Sequence, residues 1–306
     1  MPLLYPASTG HTVDDKYSAL VEPNLFAANV FQPGITFTDK YQIGPAGQIM
    51  VHKPGIGTVT PTAPGADFSH AVVQDSIVTI SLNKQFNRSR KIYGATAGSV
   101  AYPIAAAELE AGLQEVRAGW NLTAAKSLAL EAGILLDDNI LTVTATDGSD
   151  IYDTIVNSRK KLRDQKANPN VLIVSPSTYA KLLKAPEFQR STQLSDQAVA
   201  DGMVGRIAGL NVFEYESLGV AVANGEVITD VNGTTTDITW VTADDELEYI
   251  MYDSDAFSIV TSVELVRVVD AIDFNGSLAQ VEIVSGFKLT NPKRALLKIH
   301  DASAVA

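Results

Sequence analysis

The sequence predicts an α+β protein, and three patterns carry that expectation. A proline-free, alanine-rich run over about 103–133 places Leu109, Leu113, Val116, Trp120, Ala124 and Leu128 at helical spacing. Strand-like runs flank it at a distance: Ile49-Met50-Val51 and 77–82 on one side, 249–252, 257–260, 263–269 and 280–284 on the other. Between them lies a helix–strand–helix unit over 150–185.

Taken in chain order, residues 1–35 read as an arm. Pro2, Pro6, Gly10, Pro23, Pro33 and Gly34 interrupt every periodic pattern, yet Leu20, Leu25, Phe26, Val30 and Phe31 are too apolar for a free tail and are expected to lie against another surface. Residues 36–96 read as extended. Within them, the segment 53–65 holds three prolines and three glycines, a composition that excludes helix and central strand. Set between strand-like runs, it predicts a long projecting hairpin. Loops of this length are usually functional or interactive.

The helical run follows. Pro103 suits a first helical position and Gly133 a stop, which gives a helix of about thirty residues, roughly 45 Å long. Gly112 and Gly119 each cost about 1 kcal/mol relative to Ala, so such a helix depends on packing along its length. Beyond it, Ser149 or Asp150 can cap a helix carrying Ile151, Ile155 and Leu162 on one face. That helix ends in Arg159-Lys160-Lys161-Leu162-Arg163, positive charge at the negative pole of the dipole. Val171-Leu172-Ile173-Val174 reads as a buried strand, and Ser175-Pro176 as the cap and first residue of a helix that Pro186 stops. Gly202 to Gly209 is a turn region leading into a strand at 211–215. Asn224-Gly225 and Asn232-Gly233 read as hairpin turns.

Composition narrows the function. Forty-six per cent of the 306 residues are hydrophobic, enough for a packed core. The absence of cysteine excludes disulfide scaffolds, thiolate metal sites and thiol nucleophiles. A net charge of −12 disfavours binding driven by phosphate neutralisation and adsorption to anionic membranes. No apolar run reaches a membrane span, and Met1-Pro2-Leu3-Leu4-Tyr5-Pro6 lacks the pattern of a signal peptide, so a cytoplasmic setting is expected.

Chemistry-bearing motifs are sparse. Gly55-Ile-Gly57 lacks the third glycine and the following helix of a dinucleotide fingerprint, and no phosphate-cradling P-loop or serine elbow occurs. His11, His52, His70 and His300 are scattered. Asp137-Asp138, Asp147 with Asp150, and Asp244-Asp245 fit no calcium loop, and capping or solvated turns account for them. The 159–163 cations lack interleaved aromatics and suit a solvated helix end. No cofactor or metal is expected. What stands out is shape: an arm, a glycine- and proline-tipped hairpin and a very long helix, all offering surface for partners to cover.

The segments Ile151-Tyr-Asp-Thr-Ile-Val-Asn-Ser-Arg-Lys-Lys-Leu, Asn170-Val-Leu-Ile-Val-Ser-Pro-Ser-Thr-Tyr-Ala-Lys-Leu-Leu183 and Gly202-Met-Val-Gly-Arg-Ile-Ala-Gly-Leu-Asn-Val-Phe213 resemble the major capsid proteins of tailed bacteriophages, which share the HK-97-like fold. The resemblance implies an N-terminal arm at 1–35, an extended loop at 36–96, a peripheral domain with the spine helix at 97–135, an axial domain at 136–248 and peripheral return strands at 249–306. It implies inter-subunit contacts through Leu25, Phe26, Phe31, Lys53, Gly55, Ile56, Gly57, Pro61 and Pro64. Along the spine, Leu109, Gly112, Leu113, Val116, Gly119 and Trp120 would pack it, and the glycines would let it bend during shell maturation.

The function implied is self-assembly into an icosahedral head enclosing a double-stranded DNA genome. Hexamers and pentamers of the chain would form the shell, with scaffolding, portal and decoration proteins as further partners. Neither sequence-specific nucleic-acid binding nor a membrane would be involved. Assembly in the host cytoplasm and residence in the virion follow. No built-in scaffolding segment is expected ahead of Met1, which resembles the branch with a separate scaffolding protein. Lys53 lies in the region where some members crosslink a loop lysine to an asparagine. Encapsulins, shells of cellular nanocompartments, share the fold and are the nearest alternative. A carboxylate-dependent hydrolase using Asp137 or Asp244 is a distant one.

Overall fold

Among the described residues, hydrogen-bonded pairing joins the strands into four sheets. The computed structural model describes residues 29–41, 48–54, 75–94, 104–135, 140–142, 150–184, 203–218, 227–229, 235–237 and 246–300. They fall into two compact units: 86–120 with 263–283, and 27–85 with 121–262 and the residues from 284 onward. Four elements run from one unit into the other along the chain: β3 (Lys84–Tyr93), α1 (Ile104–Leu135), β11 (Phe257–Asp270) and β12 (Gly276–Leu289).

The larger unit is built on a six-stranded sheet. Its strands are β4 (Ile140–Thr142), β5 (Val171–Val174), β6 (Met203–Ile207), β7 (Leu210–Glu214), β10 (Glu246–Tyr252) and β13 (Ala295–His300), in the order β4-β13-β10-β5-β7-β6. Strand β5 is buried at all four residues, as an apolar run covered on both faces must be. It pairs in parallel with β7 and antiparallel with β10. Helices α2 (Asp150–Asp164) and α3 (Pro176–Lys184) flank β5 in the chain. Ile151, Ile155 and Leu162 of α2 and Leu182 of α3 join Leu172, Val174, Val212, Tyr249 and Met251 in one core. The Ser175 hydroxyl accepts from the Thr178 amide at 3.3 Å, so Ser175 caps α3 with Pro176 at its first position, as the sequence predicts. Ala208 and Gly209 both adopt positive φ, 48° and 79°, which suits the two-residue turn between β6 and β7.

The same unit holds the hairpin of β1 (Gln48–Pro54) and β2 (Asp75–Ser81), antiparallel from Gln48↔Ser81 to Pro54↔Asp75. A second small hairpin pairs β8 (Val227–Thr229) with β9 (Thr235–Asp237), and Asn232-Gly233, read as a hairpin turn, lies outside the described residues. Asn224-Gly225 and the hairpin tip at 55–74 lie outside the described residues.

In the smaller unit, helix α1 covers one face of a three-stranded sheet ordered β11-β12-β3. The helix has 32 residues, about 48 Å. It begins at Ile104 and passes through Gly133 to Leu135, so Gly133 is not the stop the sequence suggested. A glycine ends a helix only where it takes the left-handed conformation. Here Ala124, Ala125, Leu128, Ala129 and Ala132 are fully buried, and that packing offsets the glycine's cost.

Two further corrections concern which sheet a strand joins. Residues 84–93, read as part of the extended loop, form β3 of the three-stranded sheet. Residues 249–252 and 295–300, read as peripheral return strands, belong to β10 and β13 of the six-stranded sheet. Side-chain alternation reveals which face of a strand is buried, not which strand lies beside it.

Candidate assembly surfaces

The β1–β2 hairpin has unlike faces. Ile49 and Ile80 are buried with Val260 and have Tyr41, Val51 and Leu82 against them. On the opposite face Met50 is 61% exposed and Ile77 55%, with His52 paired to Ile77 and Thr79 to Met50. An isolated two-stranded ribbon is marginal in water, and this one leaves two large apolar side chains bare on one face. Lys53 lies on the covered side of the ribbon, in line with Ile49 and Val51. Burial, then repulsion from Arg294, holds its ammonium below the ordinary lysine value.

Phe31 is not available to a neighbour. It is 1% exposed, with its ring centroid 5.9 Å from that of Phe257, and Val30 beside it is 3% exposed. A local turn holds this segment: the Gln32 amide donates to the Thr36 hydroxyl at 2.7 Å, and Gly34 takes φ 76°. Thr38 then bonds the edge of β11 through its amide and carbonyl. The apolar character of the segment was legible, but its own chain is what covers it. Leu25, Phe26, Gly55, Ile56, Gly57, Pro61 and Pro64 lie outside the described residues.

The α1 residues do come together. Val116 is buried with Val281 and Ile283, and Leu109, Leu113, Trp120 and Phe86 pack around them. Leu109 also meets the cluster of Ile92, Ile104 and Ala279. The two glycines differ. A β-carbon on Gly112 would stand 2.8 Å from Arg88 Nη1 and 3.2 Å from Val281 Cγ2, so Gly112 is a notch for Arg88. A β-carbon on Gly119 would meet Phe86 at an ordinary 3.8 Å.

Arg88 is a residue the sequence reading missed. Its side chain is 12% exposed and lies across the helix. Nη1 donates to the Glu108 carbonyl at 2.8 Å, Nη2 reaches the Glu108 carboxylate at 3.3 Å, and Nε pairs with Glu115. Arg90 lies 3.8 Å from both carboxylates. The available signal was Glu108 and Glu115 seven apart on one helix face, with Gly112 between them and two arginines two apart on a strand.

Past the Thr38 contact, β11 is an outer strand with Val266, Val268 and Val269 each more than a third exposed. Deeper charges are compensated. The Lys288 ammonium donates to the Glu131 carboxylate at 2.7 Å, which also accepts from the Leu289 amide, while burial outweighs these bonds and raises the Glu131 pKa. Glu248, 4% exposed, pairs with Lys181 at 3.0 Å and Lys298 at 3.9 Å.

Among the described residues no group of three or more histidines and carboxylates converges as metal ligands do, and no helix is long and apolar enough to cross a membrane. A cleft of about 460 Å³ is lined by Pro33, Phe37, Asp39, Tyr41, Ile259, Val260 and Thr261. Among the described residues that line it Asp39 is the one carboxylate, so these residues do not supply the acid pair a carboxylate-dependent hydrolase needs. Asp137 and Asp244 lie outside the described residues.

No family model matches the chain, and no curated protein matches it. Solved structures do. A capsid structure of Cyanophage P-SCSP1u superposes with TM-score 0.71 at 12% identity, covering 94% of this chain and 92% of its own. A structure from Mycobacterium phage Che8 gives 0.66 at 16% identity, covering 94% and 97%. The capsid of Ralstonia phage GP4 gives 0.61 at 9% identity, covering 100% and 99%. With a long helix on a three-stranded sheet, a six-stranded sheet flanked by helices and a separate two-stranded hairpin, the chain has the α+β, HK-97-like fold of tailed-phage capsid proteins.

Proposed function

We propose that this chain is a major capsid protein: copies assemble into the icosahedral head that encloses the double-stranded DNA of a tailed phage. The observation that carries the reading is fold likeness to phage capsid structures across 92–100% of the chain. The bare face of the β1–β2 hairpin supports it, because the described residues leave Met50 and Ile77 without a covering surface.

The work of such a protein is interfacial. Residues 1–28 and the 55–74 hairpin tip reach neighbouring subunits, with Leu25, Phe26, Gly55, Ile56, Gly57, Pro61 and Pro64 as the contacts. The six-stranded unit is the axial domain and the α1 unit the peripheral domain. Hexamers and pentamers form in the host cytoplasm, with scaffolding, portal and decoration proteins as partners, and the product resides in the virion. An acidic chain of net −12 suits a wall that does not hold packaged DNA tightly. Bending of α1 accompanies shell maturation. Gly119, where a β-carbon would meet only an ordinary contact with Phe86, is its hinge point, whereas Gly112 is occupied by Arg88.

Negative-stain electron microscopy of the purified chain, alone and with a candidate scaffolding protein, tests the proposal. Closed shells or hexameric and pentameric capsomers are expected. Shells that enclose protein cargo in the native host instead of DNA point to an encapsulin-like compartment. A monodisperse monomer under both conditions overturns the shell reading.

A further inference from the structure

Strands β11 and β12 are joined by a tip over 271–275, which lies against the end of β3. Gly276, the first residue of β12, has no room for a side chain. A β-carbon there would run into the Ile92 carbonyl oxygen and stand 2.7 Å from Phe274 Cε2. The backbone of β3 cannot give way without disturbing its pairing with β12, so the fold requires glycine at 276. The residue before it is Asn275, and Asn275 is exposed.

That juxtaposition has a chemical consequence. Asparagine is a chemically labile residue: its side-chain carbonyl carbon can be attacked by the backbone nitrogen of the next residue, closing a five-membered ring. A glycine in the next position leaves that nitrogen unshielded. Among the described residues Asn275 is the one asparagine that glycine follows. Others are protected. Asn168 and Asn291 precede prolines, which carry no N–H. Asn170 precedes the β-branched Val171 and shares two 2.8 Å hydrogen bonds with Ser254. The tip itself is fastened. The Asn275 carbonyl accepts from the Gly94 amide at 2.9 Å, and the Gly276 carbonyl from the Ala271 amide at 3.0 Å. These bonds hold the peptide unit that must turn as the ring closes. Lys91 lies 3.2 Å from the Asp273 carboxylate and 5.0 Å from the centre of the Phe274 ring, which is 5.1 Å from that of Tyr93. Both members of the ion pair are more than half exposed, so it contributes little, and the Phe274–Tyr93 pair is the stronger clasp.

We propose that Asn275 is a self-modification site, converting to aspartate and isoaspartate through a succinimide closed with Gly276, at a rate set by opening of the Phe274–Tyr93 clasp. The Gly276 nitrogen forms a bond to Asn275 Cγ and gives up its proton. The Cγ–Nδ2 bond breaks, and the side-chain nitrogen leaves as ammonia. Water then adds to one of the two ring carbonyls and cleaves its bond to the ring nitrogen. Opening at Cγ gives aspartate, and opening at the backbone carbonyl gives isoaspartate. No enzyme or cofactor takes part, and local opening of a small exposed tip supplies the access. Aspartate adds a negative charge two residues from Asp273. Isoaspartate also places one more carbon in the backbone between 275 and 276, which the Gly94 and Ala271 bonds cannot both accommodate. The tip of an aged subunit therefore differs from that of a fresh one in charge and in register. The chemistry does not depend on the shell reading.

The test stores the full-length chain in oxygen-18 water at mildly alkaline pH, returns it to ordinary water and maps its tryptic peptides by mass spectrometry. Trypsin releases 268–288 as one peptide in which Asn275 is the only asparagine. In the wild type that peptide is expected to take up the label and to separate by chromatography into aspartate and isoaspartate forms, ahead of the peptides that carry Asn87 and Asn170. Asn275→Ser, which has no side-chain amide to lose, is expected to take up none there. Phe274→Ser and Tyr93→Ser loosen the clasp from its two sides. Each is expected to speed conversion by up to roughly tenfold, one aromatic pair expressed as a rate, with circular dichroism unchanged. No conversion at 275 over a period in which the guanidinium-unfolded chain converts it overturns the site. Label appearing first at Asn87 or Asn170 overturns it too. Equal rates in the wild type and both clasp variants overturn the control by the clasp.

Discussion

Two hairpins of the larger unit make an instructive pair. The β6–β7 hairpin closes through Ala208-Gly209 and buries Ile207, Leu210, Val212 and Phe213 in the six-stranded sheet. The β1–β2 hairpin pairs its strands as regularly but buries one face and leaves Met50 and Ile77 to solvent. Equivalent local backbone therefore serves two ends. The first hairpin is buried within its sheet, and the second leaves one apolar face bare. Regular pairing alone does not distinguish them; the burial of alternate side chains does.

The largest expected effect lies on the buried side. Phe213→Ala should cost about 3–5 kcal/mol, read from denaturant unfolding of the isolated subunit, because it opens a void in a core with no solvent access. A loss under 1 kcal/mol would break the contrast between the hairpins. Next comes the notch in α1. Gly112→Ala should destabilise by roughly 1–3 kcal/mol through displacement of Arg88 and Val281, whereas Gly119→Ala should stabilise by up to about 1 kcal/mol. Thermal melts of the two variants should therefore move in opposite directions. If Gly119→Ala chains also form shells that expand normally, bending at that residue is excluded.

On the uncovered side, Met50→Ser with Ile77→Ser should alter subunit stability by no more than about 0.5 kcal/mol while reducing shell yield at least about tenfold. Equal damage to both would show that the bare face already serves its own chain. The smallest effect is on pH. Glu131 has a folded pKa raised above 4.5, so the folded state holds the proton more tightly than the unfolded one. Stability from this group is thus fully present below 4.5 and is lost as pH rises through the folded value. Glu131→Gln should flatten that slope in unfolding curves collected across the acidic range. A slope of the opposite sign in the wild type would mean that the Lys288 bond outweighs burial.

Much of this architecture is legible from residue order. The α1 period, the wholly apolar β5 and the Ser175-Pro176 start of α3 each announce their structure locally, because helical spacing, double-sided burial and capping act over a few residues. Sheet membership is not local. Nothing in Lys84–Tyr93 names β12 as its neighbour, and nothing in Ala295–His300 names β10. Phe31 shows the same limit at the level of one side chain: its hydrophobicity demanded a cover, and Phe257, 226 positions away, supplies it. Gly112 was legible as unusual but not as a notch, since the reason for it is an arginine on another element. The bare Met50 and Ile77 face could not be read from alternation, because both faces of that ribbon carry apolar residues.

Arg88 leaves one more mark on the helix it crosses. In an α-helix the Glu108 carbonyl accepts from the amide of Gly112, and here it has a second donor in the guanidinium. If that rung opens, the carbonyl keeps a partner, so the usual penalty of an orphaned acceptor is missing from the cost of opening. The Gly112 amide is itself buried beneath that guanidinium, so its exchange with solvent deuterium should quicken when Arg88 is replaced by Ala, more than that of the amides one turn to either side. The arginine that fastens β3 to α1 thus also covers one rung of the helix's own ladder, and water reaches that rung only when the arginine leaves.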